Sequence, residues 1–260
     1  DPTCRAAWRN GKLELRTELS EGELVEFLTE KYEPSPMFSP WNGDGGFFTD
    51  SGSSYSTIES IRSSKNERLG KLQRSITMIE KMPILSEFGR FRAEAKALKK
   101  SLDKKKKEKT KITEEEAEKL RFLTKRVKEL KETILSQIRT DFPDQSLGWF
   151  DTCLQVGQDG FSVAPTLGSG GVDGRMEFSA NFFGNILLIL DNPESPNWAA
   201  ASLFETGLAK LYSSSIGQFS PGNIGGPNAT HGFEGSSAIN PWDYILLIEG
   251  TPLLAGAMAR

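Results

Sequence analysis

Apolar positions along the chain change their spacing twice, and each change marks a different kind of structure. Lys12-Leu13-Glu14-Leu15-Arg16 alternates polar and apolar residues, a period that predicts a half-buried strand. Ser20 and Glu23 then stand at capping-box spacing, so a helix follows, with Leu24, Val25, Phe27 and Leu28 as its buried face. Pro34 and Pro36 end it near Tyr32. A loop follows, Ser39-Pro40-Trp41-Asn42-Gly43-Asp44-Gly45-Gly46-Phe47-Phe48, in which glycines free the backbone and aromatics anchor it.

From about Tyr55 to Ile138 the rhythm becomes helical. Leu69, Leu72, Ile76 and Ile79 fall at steps of three and four, Pro83 interrupts, and Phe88, Phe91, Ala95, Leu98 and Leu102 resume. Thr113 with Glu116 forms another capping box, after which Leu120, Leu123, Val127, Leu130 and Ile134 continue the stripe. Between the stripes lies Lys104-Lys105-Lys106-Lys107-Glu108-Lys109, which predicts an antiparallel helical hairpin with a basic tip. After Asp141 the composition shifts: 17 of the 25 glycines fall in residues 141–260. Short apolar runs there predict buried helices around Phe182–Leu190, over Ala199–Tyr212 and over Pro241–Ala259. The expected fold is α+β and mainly helical, a loop-rich body with a protruding antiparallel helical hairpin. It divides into a strand, helix and glycine-loop region (1–54), long helices with the basic-tipped hairpin (55–140), and a glycine-rich region (141–260) packing against 1–54.

Composition excludes several classes. At 260 residues and 37% hydrophobic, the chain can bury a core without disulfides or metal, and no apolar run approaches the roughly 20 residues a membrane span needs. Cys4 and Cys153 have no Cys or His nearby, so reduced thiols in a cytoplasmic protein are expected. The net charge of -3 conceals an asymmetry: residues 90–131 hold 17 Lys/Arg against 8 Asp/Glu, and residues 141–260 hold 3 against 12. A local field of that kind attracts polyanions whatever the total, although a charge run is also what a solvated helix face looks like.

Candidate chemistry is sparse. His231 is the single histidine, with no Gly-x-Ser-x-Gly elbow or reactive-cysteine context to use it, so loop packing is the expected role. There is no HExxH, paired CxxC or EF-hand spacing, and neither catalytic residues, metal nor cofactor is expected. Glycine runs at 43–46, 168–174 and 222–226 could turn amides toward a phosphate, yet none carries a P-loop Lys or a Rossmann GxGxxG, and tight turns are the default. The middle run is the best cradle because Arg175 adds charge. Among aromatics with a potential stacking role, Phe178, Phe182, Phe183, Trp198 and Trp242 default to the core. Trp41 stands out beside Asn42, whose amide can pair with a base edge or a phosphate.

Three blocks in order resemble one family, the large subunit of the type I-G (formerly I-U) CRISPR effector, the RNA-guided Cascade complex. Asp1 to Leu28 resembles the family's strand and helix ahead of its first signature, and Pro40-Trp41-Asn42-Gly43-Asp44-Gly45-Gly46-Phe47 the signature itself. Leu167-Gly168-Ser169-Gly170-Gly171-Val172-Asp173-Gly174-Arg175-Met176-Glu177-Phe178-Ser179-Ala180-Asn181-Phe182 is similar to the second block. Gly217-Gln218-Phe219-Ser220-Pro221-Gly222, Gly226-Pro227-Asn228-Ala229-Thr230 and Asn240-Pro241-Trp242-Asp243-Tyr244 resemble the third. The resemblance implies an internal portion of a longer, non-catalytic subunit that helps recognise the protospacer-adjacent motif and binds target DNA and the R-loop before a helicase-nuclease is recruited in antiviral defence. Implied partners are a crRNA-containing effector complex with backbone and Cas5/Cas6-type subunits, target double-stranded DNA and the helicase-nuclease, with no membrane. On that reading Trp41, Asn42, Gly43, Gly45 and Gly46 approach DNA closely, and Gly170, Gly171, Arg175 and Asn181 meet phosphate or neighbouring subunits. Lys104, Lys105, Lys106 and Lys107 match no family signature; their charge alone predicts sequence-independent attraction to the backbone. The alternative is a structural scaffold whose hairpin braces neighbouring chains.

Overall fold

The computed structural model describes residues 4–10, 12–37, 47–48, 53–157, 160–163, 178–204, 211–214 and 237–252. Strands β1 (Arg5–Arg9) and β2 (Lys12–Arg16) pair antiparallel, with Arg9 opposite Lys12. Asn10 takes φ 51 at the turn, the left-handed conformation that an Asn-Gly pair favours. The strand expected at Lys12–Arg16 is present, but its five residues are all exposed rather than half-buried, and among the described residues no residue of the ribbon belongs to the apolar core.

Helix α1 (Glu21–Glu26) starts at the expected box: the Ser20 N–H donates to Glu23 Oε2 at 2.8 Å, and the Glu23 N–H returns a weaker bond to Ser20 Oγ at 3.4 Å. One π turn, Phe27–Lys31, completes it, closed by the Tyr32 N–H donating to the Phe27 carbonyl at 2.8 Å. Of the predicted buried face only Leu28 is fully buried; Phe27 is 41% exposed.

Helices α2 (Ser53–Ser63) and α3 (Gly70–Glu80) lead into the hairpin of α4 (Ile84–Lys107) and α5 (Glu114–Asp141). Pro83 stands at the start of α4, and α5 stops at Phe142 (ψ 146), the residue before Pro143, where the α region is disfavoured. Beyond it lie α6 (Asp144–Cys153), hairpin β3 (Leu154–Gly157) and β4 (Gly160–Val163), α7 (Phe178–Asp191), α8 (Ser195–Phe204), β5 (Tyr212–Ser214) paired with β6 (Ser237–Ile239), and α9 (Pro241–Gly250). The architecture is therefore mainly helical α+β, with small antiparallel ribbons. The helix expected over Ala199–Tyr212 begins earlier and ends sooner, and Tyr212 instead opens β5, where pairing with Ile239 outweighs local propensity. The helix expected over Pro241–Ala259 runs to Gly250, and residues 253–260 lie outside the described set.

One apolar core joins all three sequence regions. Leu28 and Met37, Ile58 and Ile61 of α2, the α3 stripe, the bases of α4 and α5, and Phe182, Trp198, Trp242 and Ile248 belong to it. Glu249 fastens the two ends of the chain: it accepts from Tyr32 Oη at 2.5 Å, the Ser35 N–H at 2.8 Å and Ser35 Oγ at 2.6 Å. Burial first, and the Glu249 charge second, push the Tyr32 phenol far above its ordinary range, so it stays a neutral donor. Leu102 and Leu123 are buried too, yet outside this core, because they cover each other's helices in the projecting part of the hairpin.

Candidate nucleic-acid interface

The hairpin presents its charge from a fixed frame. Arg126 of α5 donates to Glu87 of α4 at 2.8 Å and lies 3.3 Å from Glu129; hydrogen bonds to these carboxylates raise its already high pKa. Beside it Phe91 and Phe122 meet edge to face at 6.4 Å. At the far end Lys105 pairs with Glu116, whose other oxygen accepts the Thr113 N–H at 3.1 Å, completing the predicted capping box. The Lys105 contact, then the Thr113 amide, hold the Glu116 carboxyl below its usual range. Helix α4 closes on Thr110 N–H to Lys105 carbonyl at 2.8 Å and Lys109 N–H to Lys106 carbonyl at 3.2 Å. That closure needs Lys109 at φ 55, a position glycine usually fills.

Two rows of side chains run along the exposed side of α4. Lys96, Lys100 and Lys104 recur at one-turn spacing, and Lys99, Asp103 and Lys107 do the same beside them, lining an open groove of about 890 Å³. Lys104 is 3.8 Å from Glu108, and Lys96, Lys99, Lys100 and Lys107 take part in no ion pair among the described residues. Like charges one turn apart destabilise a helix by a few tenths of a kcal/mol per pair. Lysines in the last turn gain from the helix dipole, but that effect fades within one turn and leaves Lys96, Lys99 and Lys100 unaccounted for. Helix α5 shows the opposite habit, pairing Arg121 with Glu114 at 2.5 Å and Arg126 with Glu129.

Of the predicted lysines, Lys104, Lys106 and Lys107 are exposed, whereas Lys105 is half-buried and engaged with Glu116. Lys96, Lys99 and Lys100 were not among the residues expected from the lysine run at the tip; their four-residue repeat is the signal that marks them. Trp41, Asn42, Gly43, Gly45 and Gly46 lie outside the described residues, as do Gly170, Gly171, Arg175 and His231. The first glycine loop nonetheless leads into Phe47 and Phe48, which pack on the base of α4. Phe48 meets Phe88 edge to face at 5.2 Å, and a Cβ on Gly89 would stand 3.2 Å from the Phe48 ring. Helix α4 thus carries both the Phe48 contact and the lysines, with about 22 Å of helix between Gly89 and Lys104.

Asn181 is described and sits inside α7, 6% exposed, its carbonyl accepting from Asn185 Nδ2 at 2.9 Å, so it offers little surface to a phosphate or a neighbouring subunit. Phe182, Phe183, Trp198 and Trp242 are core residues, as their default role requires. Asn240 caps α9 through the Trp242 N–H at 3.0 Å and donates to the Trp198 carbonyl at 2.7 Å, while Trp242 Nε1 donates to the Ser195 carbonyl at 3.2 Å. The block Asn240-Pro241-Trp242-Asp243-Tyr244 is thereby a structural joint. Among the described residues no cluster of His, Cys, Asp and Glu is placed to hold a metal ion, and no helix is long and apolar enough to cross a membrane. Comparison with protein-family models and with curated proteins gives no match.

Proposed function

We propose that this chain belongs to the large subunit of a type I-G CRISPR effector and binds target DNA without acting on it chemically. In that role it sits in the cytoplasm within a crRNA-bearing assembly, helps recognise the motif beside the target and holds duplex and R-loop before the helicase-nuclease arrives. The observation that carries DNA binding is the excess of lysines on the exposed side of α4, where Lys96, Lys99, Lys100 and Lys107 enter no ion pair among the described residues and Asp103 is the one acid in the two rows, a charge that is favourable against a phosphate backbone. The ordered sequence blocks support the more specific assignment. Division of labour fits as well: the guide RNA reads sequence, so the protein needs a short groove contact and charge along the backbone.

The scaffold reading assigns the same hairpin to protein contacts, and one experiment separates the two. The chain, or a variant with Lys96, Lys99, Lys100, Lys104 and Lys107 changed to Ala, is mixed with guide-loaded partner subunits and isolated with and without target duplex. The expected result is equal assembly of both chains and loss of duplex from the variant complex. Failure of the variant to assemble, with DNA retention unchanged in whatever complex forms, would replace the proposal with the scaffold.

A further inference from the structure

Among the described residues, none of β1 or β2 belongs to the apolar core. No third strand joins this ribbon among the described residues, where the outer edge of each strand is unpaired. Its register sorts the side chains into two faces. Leu15, opposite Ala6, and Leu13 two residues before it lie on one face, 38% and 49% exposed. The other face sets Arg5 opposite Arg16 and Arg9 opposite Lys12. Arg9 reaches Glu14 at 3.5 Å in full view of solvent, and Lys12 and Arg16 enter no ion pair among the described residues. A lone two-stranded hairpin is marginal in water, and like charges directly across it weaken it further. A partner that stabilises it must bring apolar cover and negative charge together.

A second copy of this chain is a poor candidate. Antiparallel pairing of β2 with itself about Glu14 would place Lys12 against Arg16 and Glu14 against Glu14, and pairing of β1 about Ala7 would place Arg5 against Arg9. Nucleic acid would answer the cationic face and leave Leu13 and Leu15 in water. We infer that β2 is a docking edge for an extended segment of a partner protein in which apolar and acidic residues alternate. Added as a third strand, such a segment hydrogen-bonds the open backbone groups, lays its apolar side chains over Leu13 and Leu15, and sets its carboxylates beside Lys12 and Arg16. This site is independent of the DNA-binding reading, since it shares no residue with α4.

The test uses the full chain and three labelled probes: a peptide alternating Glu with Val over about six residues, a typical strand length, its counterpart alternating Lys with Val, and a short single-stranded oligonucleotide. Fluorescence anisotropy should show the acidic peptide binding about tenfold more tightly than the lysine peptide. Leu13→Ser with Leu15→Ser should abolish binding of the acidic peptide, and Lys12→Glu with Arg16→Glu should invert the preference. Both changes are on exposed positions, and circular dichroism of each variant confirms the fold. No binding of the acidic peptide, equal binding of both peptides, or an oligonucleotide that alone responds to Lys12→Glu with Arg16→Glu would overturn the proposal.

Discussion

Lys109 shows how much a single residue contributes to the shape of the hairpin tip. Its φ of 55 lets Thr110 and Lys109 satisfy two carbonyls at the end of α4, yet a side chain in that region costs about 1 kcal/mol relative to glycine. Lys109→Gly should therefore raise stability by about 1 kcal/mol in chemical denaturation, and a destabilised variant would contradict this account of the closure. The strain was not legible in the sequence, where Lys109 reads as one more member of a charge run. The two boxes were legible, because Ser20 with Glu23 and Thr113 with Glu116 need only local spacing to form. Asn10-Gly11 is an equally local signal, for the β1–β2 turn, and β1 itself was not expected because Arg5–Arg9 lacks the strict alternation of Lys12–Arg16.

Elements were readable where periodicity ran long and obscure where pairing or interruption decided. The stripes of α4 and α5 exceed several turns, so their buried positions Phe88, Leu102, Leu123, Leu130 and Ile134 followed from spacing. Helix α6 carries Gly148 in its middle and follows Pro143, which disguised it as loop, and β5 exists because β6 comes back to it from a distant part of the chain. Within the hairpin, Glu116 links the capping box of α5 to Lys105 of α4. Its carboxyl is depressed in the folded state, so its contribution to stability is present above its ordinary value of 4.5 and is lost as pH falls through and below it. Thermal melts followed by circular dichroism should thus show the wild type losing stability between about pH 6 and about pH 3 by more than Glu116→Gln does. Identical pH dependence in the two chains would show that the tip is not held by that carboxylate. The pair is still partly open to solvent, so the difference should shrink in high salt.

At the scale of the molecule, sequence charge and three-dimensional charge are different quantities. Residues 90–131 hold 17 basic against 8 acidic side chains, but folding assigns Lys105, Arg121 and Arg126 to carboxylate partners and leaves the rows at Lys96–Lys104 and Lys99–Lys107 on one open side of α4. The core that joins α2, α3 and α7–α9, closed by Glu249 on Tyr32 and Ser35, anchors the hairpin base, so this charge is carried on a rigid prong rather than a mobile tail. The salt dependence of duplex binding probes that prong most directly. For the wild-type chain, the logarithm of the binding constant should fall steeply with the logarithm of salt concentration. Replacing Lys96, Lys99, Lys100, Lys104 and Lys107 with Ala should make the slope shallower by about 0.9 for each phosphate that is no longer neutralised, up to about 4.5 if each lysine meets one phosphate. A slope and an affinity that match the wild type would contradict the claim that this face of α4 meets nucleic acid.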